Sequence, residues 1–403
     1  MRSSARLAFL VGGIIVVSCG GSTAAPSASS SPLAVATPSA SPARTASPSP
    51  AASAPAASGA ATPTPRPTLL ARVDASTTSV ALTKIAIPPL AGKTASIDVM
   101  EIDQEAHLLY ITDRSDNGID VFDVATKTAK FLKTIDMGTG SNGFIIVKKL
   151  NRAYTGLNDS TIAVIDIDPA SPRFHTVVAR INTGGKDRTD DVEYDPIHNK
   201  IYSDNDREGF VTIVDAATNK VIKKIEGLGA GLQQIHFNPS DGMVYMSGAD
   251  QNTMYTIDPV KDEIIRRETI AVLCNPNGFA INPKTNVAML GCSAGRAGSG
   301  GTPLTVAWDL AAGKFTGVFG EVGAGDSLIY VAKLDRFYFG AHNFNRGSMV
   351  GVFTGSPIKF VTNVPTGDFS GAKNLAYDET NDLMYTQDAL PGEGALFSFT
   401  PPK

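Results

Sequence analysis

A unit of about 46 residues recurs along the chain from residue 95 onward. In each unit the second predicted strand carries a tyrosine, or once a methionine, and these landmarks lie 43 to 49 residues apart: Tyr110, Tyr154, Tyr202, Tyr245, Met289, Tyr338 and Tyr385. The third predicted strand ends at positions that keep nearly the same spacing: Asp123, Asp166, Asp215, Asp258, Asp309, Thr354 and Thr400. Two independent landmarks in step indicate seven copies of one structural unit.

Each unit shows the pattern of four short antiparallel strands, with alternating apolar residues and turns such as Asn238-Pro239. A four-stranded sheet of this size cannot bury both faces alone, whereas seven sheets in a ring bury each face against a neighbour. The sequence therefore predicts an all-β fold, a seven-bladed β-propeller over residues 69–403, with six or eight blades as the alternatives. The last unit ends after its third strand, so we expect the segment Ser79 to Pro88 to supply the fourth.

The first 68 residues are predicted to lie outside this fold. Residues 1–18 have the features of an export signal, with Arg2 and Arg6 followed by a short apolar run. The run ends at Cys19 in a pattern that resembles the lipobox of bacterial lipoproteins, which implies lipidation of Cys19 and an extracytoplasmic protein anchored to the cell membrane or outer membrane. An ordinary signal peptide with a chance cysteine is the alternative. Residues 19–68 are rich in Ala, Ser, Pro and Thr, which predicts a disordered tether.

Several segments resemble the YVTN repeat, among them Leu109 to Asp113, Gly118 to Thr126 and Val211 to Lys220. The likeness spans about residues 79–403, and over this range the chain resembles the YncE-like family of exported propellers. This resemblance implies the fold more firmly than the activity. Propellers of this kind serve as binding scaffolds, as nucleic-acid binders and, in relatives such as the lactonases, as enzymes.

The charge balance disfavours one of these functions. The formal net charge is −4, and removal of residues 1–18 with their two arginines takes it to about −6. Non-specific binding of nucleic acid requires clustered lysine and arginine, which the sequence lacks. Nucleic acid is therefore not an expected partner.

A candidate site follows from the repeat itself. Residues that open each first strand should project into the central channel at one end, and every unit places a polar group there: Asp98, Asn142, Asp190 with Asp191, Gln233 with Gln234, Asn277, Asp326 with Ser327, and Lys373 with Asn374. His342 is the only histidine expected at the same end. Carboxylates outnumber Lys373 in this set, which favours a polar or cationic ligand. A water-filled funnel without a ligand is the alternative.

Two further cysteines, Cys274 and Cys292, flank a predicted hairpin that turns near residue 283. Cross-strand neighbours approach closely enough for a disulfide, and export would place them in an oxidising compartment. We therefore expect a Cys274–Cys292 bridge, and two free buried thiols are the alternative.

No cluster of residues specifies catalysis. Gly291 to Gly295 matches a nucleophile pattern, but a Gly/Ser loop follows where that motif needs a helix. The acidic turns at Asp204 to Glu208 and Asp113 to Asn117 are interpreted as turn chemistry, and no metal site is assigned. The leading hypothesis is a monomeric, non-enzymatic scaffold that binds a small polar or cationic ligand or an envelope protein. The alternative is a lyase or lactonase-like hydrolase that uses a divalent cation at the same channel end.

Overall fold

The computed structural model describes residues 75–293, 304–323, 325–341, 347–367, 373–388 and 394–403. Within these ranges the chain forms seven four-stranded antiparallel sheets. Two short 3-10 turns, Pro88–Leu90 and Lys148–Leu150, are the only helical elements in the described ranges. Among the described residues, no helical segment reaches the length and apolar character of a membrane span. The predicted all-β, seven-bladed propeller is confirmed.

One strand precedes the first complete blade, and it is β1 (Thr83–Ala86). Blade 1 contains β2 (Ile97–Asp103), β3 (Leu108–Asp113), β4 (Gly118–Asp123) and β5 (Lys130–Asp136). Blade 2 contains β6 (Ser141–Val147), β7 (Arg152–Leu157), β8 (Thr161–Asp166) and β9 (Thr176–Asn182). Blade 3 contains β10 (Val192–Asp195), β11 (Lys200–Asn205), β12 (Phe210–Asp215) and β13 (Lys220–Ile225).

The remaining blades repeat this order. Blade 4 contains β14 (Leu232–Phe237), β15 (Val244–Gly248), β16 (Thr253–Asp258) and β17 (Glu263–Thr269). Blade 5 contains β18 (Pro276–Asn282), β19 (Val287–Cys292), β20 (Leu304–Asp309) and β21 (Lys314–Phe319). Blade 6 contains β22 (Gly325–Val331), β23 (Arg336–Ala341), β24 (Ser348–Thr354) and β25 (Phe360–Gly367). Blade 7 contains β26 (Leu375–Asp378), β27 (Leu383–Asp388) and β28 (Ala395–Phe399).

The repeated tyrosine is explained by packing between blades. The structure contains seven apolar clusters, and each joins two consecutive blades around the ring. Every cluster includes the second-strand landmark of the earlier blade, for example Tyr110 between blades 1 and 2 and Met289 between blades 5 and 6. Some of the tyrosines also donate a hydrogen bond across the interface, as Tyr154 does to the carbonyl of Ala216 at 3.0 Å. The repeat is therefore an interblade packing unit.

The ring closes through the N-terminal strand. β1 pairs with β28 in antiparallel register, with Ile85 opposite Leu396, so it forms the fourth strand of blade 7 as predicted. Ile87, immediately after β1, is 1% exposed and belongs to the cluster that joins blade 7 to blade 1. The first strands of neighbouring blades contact each other around the axis, whereas the fourth strands are the most exposed.

Candidate functional site

All seven first strands begin at the same end of the central channel, which we call the mouth. The predicted site residues hold one equivalent position there, each two residues before a core residue that pairs with the second strand: Met100, Phe144, Val192, Ile235, Phe279, Leu328 and Leu375. The site residues are Asp98, Asn142, Asp190, Gln233, Asn277, Asp326 and Lys373. Because the first strands surround the axis, the residues converge although they are widely separated in sequence.

Asp98 of blade 1 is held by two cations. The Nζ atom of Lys373, from blade 7, lies 2.8 Å from Asp98 Oδ1, and Nη2 of Arg114 lies 2.5 Å from Oδ2. Lys373 also lies 3.0 Å from the carboxylate of Asp326 in blade 6. These side chains retain between 13 and 23% of their exposure, so the ion pairs are partly shielded from water.

The chain of charges continues into blade 3. Arg114 Nη2 also lies 3.5 Å from Asp190, which in turn receives Arg188 Nη2 at 2.7 Å. Arg188 makes a two-point contact with Asp206, at 2.6 and 3.0 Å. Carboxylates and cations thus alternate across the mouth from Asp206 to Asp326. Planar guanidinium groups suit such two-sided contacts with carboxylates.

Amide side chains connect the remaining blades. Arg114 Nε donates to Asn142 of blade 2 at 2.6 Å. The amide of Asn277 in blade 5 donates to Asp326, whose backbone carbonyl also accepts a bond from Gln234 of blade 4 at 3.0 Å. Every blade therefore contributes a side chain to one connected set of polar contacts at the mouth, and we call this set the mouth network.

The two central carboxylates respond differently to this arrangement. Burial alone would raise the pKa of Asp98, but Lys373 and Arg114 outweigh it and hold the pKa below its usual range. Burial raises the pKa of Asp190 to about 8, and the neighbouring charge of Asp98 adds to the effect while Arg188 opposes it. The cations around Asp98 therefore favour its ionised form, whereas burial disfavours the charged form of Asp190.

Two further carboxylates lie behind Asp190. Asp191 Oδ2 accepts the backbone amide of Ile235 in blade 4 at 3.0 Å, and the amide of Asp191 donates to Asp204 at 2.7 Å. Burial raises the pKa of Asp191 to about 6 and that of Asp204 well above its usual value. The mouth therefore holds more carboxyl groups than cations, and the arrival of a positive group would favour the ionised forms of these carboxyl groups.

The described residues line a small cavity at the mouth. Its volume is about 50 Å³, and it is lined by Asp98, Val99, Asp190, Asp191, Gln233, Gln234, Asp326 and Asn374. Sites for small organic molecules usually measure about 300 to 1,000 Å³. This cavity can therefore accommodate a few water molecules or the end of one inserted side chain.

A close backbone approach fixes one side of the mouth. The backbone amide of Gly143 donates to the carbonyl of Asp190 at 2.7 Å, and a Cβ atom at position 143 would lie 2.6 Å from Asp191 Cα. Only glycine leaves room for this contact. The polar segment at Asp190 and Asp191 is thus held directly against blade 2.

The other end of the channel differs in character. Glu101 Oε2 accepts the backbone amide of Ile146 at 2.9 Å, and Glu193 lies 3.1 Å from His236 Nδ1. Burial raises the pKa of Glu101 to about 8, with a further contribution from Glu193. A cavity of about 300 Å³ opens there among mostly apolar side chains, lined by His236, Phe237, Ala280, Ile281, Leu328, Ile329 and Tyr330.

The predicted disulfide is present in the structure. Cys274 and Cys292 are bonded with their Cα atoms 4.4 Å apart, and both side chains are fully buried. Cys274 lies just before β18 and Cys292 ends β19, so the bond joins the start of blade 5 to its second strand at the mouth end.

The structure adds cations that sequence reasoning missed. The repeat pattern predicts Lys373 as the only cation of the site, but Arg114 and Arg188 also belong to the mouth network. Both lie in connections outside the strands, so aligning the repeats by their first strands does not place them. The signal that could have revealed Arg188 is its position two residues before Asp190. Cys19 and His342 lie outside the described residues.

Comparison with known proteins supports the fold alone. No protein-family model matches the chain, and no curated protein matches it in sequence. Solved structures do match, and one is a WD40 propeller from the structure described as "Crystal Structure of Mitotic Checkpoint Complex". It is 14% identical with a TM-score of 0.62, and the match covers 85% of this chain and 98% of that one. At this identity the match establishes a shared propeller architecture.

Proposed function

We propose that this protein is a cell-envelope scaffold that binds a protein partner through the mouth of its propeller, without catalysis. One observation carries the proposal: the mouth network is connected and rich in carboxyl groups, and the cavity that the described residues line there is small. A protruding lysine or arginine of a partner fits both its size and its charge. One structural neighbour comes from a structure described as a complex, which agrees with a role in protein interaction.

The position of the scaffold is part of the proposal. The signal-like residues 1–18 and the lipobox-like cysteine support lipidation at Cys19, and residues 19–68 would hold the propeller away from the membrane. Two or more acyl chains anchor a protein stably where one is marginal. Likeness to YVTN segments, such as Leu109 to Asp113, supports placing the chain among exported propellers.

Anchoring is tested with Cys19→Ala in the producing cells. We expect the unaltered protein to incorporate labelled fatty acid and to sediment with membranes, and the variant to do neither. Equal labelling and sedimentation of the two forms would rule out Cys19 as the anchor.

Partner binding is tested with a photo-cross-linking amino acid at Gln233, a half-buried mouth residue. Two forms of this protein are irradiated with solubilised envelope. One is otherwise unaltered, and the other, the mouth variant, has Asp190, Asp191 and Asp326 all changed to Asn. The control variant has three aspartates changed to Asn at the end of the propeller opposite the mouth. They are the last residues of three third strands: Asp123, Asp215 and Asp309. We expect a discrete adduct that the mouth variant loses and the control keeps. No adduct, or equal loss in both variants, would refute the mouth as the binding surface.

A further inference from the structure

Three carboxylates meet at the β3–β4 hairpin of blade 1, outside the mouth network. Asp113 ends β3, Asp116 lies in the turn and Asp120 lies in β4. The register pairs Asp113 with Gly118 and Ile111 with Asp120, which puts both strand residues beside the turn. One oxygen from each carboxylate lies within 4.8 Å of the other two.

Buried oxygens of this cluster face one another with few hydrogen-bond donors to balance them. Asp113 and Asp120 are both 0% exposed. One oxygen of each is satisfied, by the amide of Ser115 and the hydroxyl of Thr134, both at 2.6 Å. Oδ2 of Asp113 and Oδ2 of Asp120 are buried and receive no hydrogen bond from a donor elsewhere in the described chain, and the Asp116 carboxyl is buried against Asp120 and beside the Gly118 amide. Leaving buried carboxylate oxygens unpaired costs several kcal/mol, so the cluster requires a neutralising group.

The other six blades show that this position need not be acidic. Residues equivalent to Asp120 in the third strands are Ala163, Thr212, Tyr255, Val306, Gly351 and Phe397. None of them ionises near neutral pH. The fold therefore tolerates an uncharged residue there, and the aspartate of blade 1 is a departure from the repeat that packing does not explain.

We propose that Asp113, Asp116 and Asp120 bind a single divalent cation, calcium by their chemistry. All three offer only carboxylate oxygens, which hard cations prefer, and none is a histidine or cysteine of the kind that zinc selects. Calcium accepts mixed carboxylate and water ligands in flexible geometry, and sites in extracellular modules bind it at about 10⁻⁴ to 10⁻³ M. The unpartnered oxygens supply the negative ligands, and water completes the shell.

The site also lies next to the mouth network. Arg114 follows Asp113 directly, and its guanidinium contacts blades 1, 2 and 3. The backbone amide of Arg114 donates to the carbonyl of Ser96, and the backbone amide of Ser115 donates to the Asp113 carboxylate. A cation bound to Asp113 and Asp116 would hold both ends of the short segment that carries Arg114.

Calcium binding is measured on the full chain after chelation, by calorimetry and by thermal unfolding at neutral pH. We expect one saturable site with a dissociation constant of about 1 mM or below, and a melting temperature that rises with calcium. Asp120→Asn should weaken binding at least about tenfold, and so should Asp116→Asn, whose partly exposed turn position makes misfolding less of a concern.

The matched control is Asp159→Asn, in the corresponding turn of blade 2, where the carboxylate is 48% exposed. It should bind calcium as the unaltered chain does. Absence of a calcium effect on the unaltered chain would overturn the proposal and leave a proton shared by Asp116 and Asp120 as the neutralising group. Unchanged affinity in both Asp120→Asn and Asp116→Asn, or tighter binding of magnesium than of calcium, would also overturn it.

Discussion

The acidic residues of the channel fall into two groups that differ in how their charge is balanced. Asp98 is paired with Arg114 and Lys373, and its pKa is lowered despite burial. Glu101 lies three residues later in the same strand and forms no ion pair with a described lysine or arginine, and burial raises its pKa to about 8. The first kind of carboxylate contributes stability as an anion, and the second holds a proton in the folded state.

A pH prediction follows for Glu101. The folded chain keeps its proton up to about pH 8, whereas the unfolded chain loses it near 4.5, so stability from this group falls as pH rises between these values. Glu101→Gln removes the titration but keeps an oxygen for the Ile146 amide. The free energy of unfolding of the variant should therefore rise relative to that of the unaltered protein as pH rises from about 5 to 8. The change should be at most about 1.4 kcal/mol per pH unit.

Denaturant unfolding across this pH range measures the effect. The control is Glu105→Gln, at a side chain that is 83% exposed, where we expect a change in stability of less than about 0.5 kcal/mol. A stability difference for Glu101→Gln that stays constant with pH would contradict the assignment.

Single residues were predictable to different degrees. The mouth positions followed from the repeat, since an equivalent residue of each first strand must face the axis. Arg114 and Arg188 were not predictable in the same way, because loop residues have no fixed register. Alignment of the repeats shows that only blade 1 has a carboxylate, Asp120, at this position of the third strand. The burial of Asp120 beside Asp113 depends on the hairpin geometry, which the alignment does not give.

Among the elements, blade 5 has a covalent crosslink. The bond between Cys274 and Cys292 closes a segment with a sequence separation of 18. A crosslink over a loop of this length restricts the unfolded chain by about 3 kcal/mol. Replacing both cysteines with alanine should lower the free energy of unfolding by roughly that amount. Denaturant unfolding with and without reductant checks this, and reductant should leave the double variant unaffected. Equal stability of the double variant and the unaltered protein would be inconsistent with the bond.

The closing strand gives a second prediction at this scale. Ile87 is 1% exposed in the cluster between blades 7 and 1, so Ile87→Ala should cost about 2 to 4 kcal/mol. Thr83→Ala, at an exposed position of β1, should change stability by less than about 0.5 kcal/mol. Similar small effects at both positions would mean that β1 is not part of blade 7.

Elements were the most predictable feature of the chain. Strand alternation and the turn residues located the blades, and the lack of a fourth strand after Phe399 pointed to the segment around Ile85. The sequence could not reveal which contacts close the mouth, because these join residues of different blades. The large apolar cavity at the other end was missed for the same reason: it forms only where blades 4, 5 and 6 meet.

The whole molecule is a ring in which each interblade interface uses the same packing unit. Seven apolar clusters hold the blades together, and the mouth network connects all seven at one end. Because the network contains residues from the beginning and the end of the repeat region, it can form only if the ring is closed. The mouth network therefore depends on closure of the ring, and one experiment can test both.

A double-mutant cycle between Asp98 in blade 1 and Lys373 in blade 7 tests that claim most directly. The two residues are 275 positions apart, and their side chains lie 2.8 Å apart only in the closed ring. The free energy of unfolding is measured for Asp98→Asn, Lys373→Gln and both together. We predict a coupling energy of at least about 1 kcal/mol. Additive effects, with coupling below about 0.3 kcal/mol, would contradict both the closed ring and the mouth network.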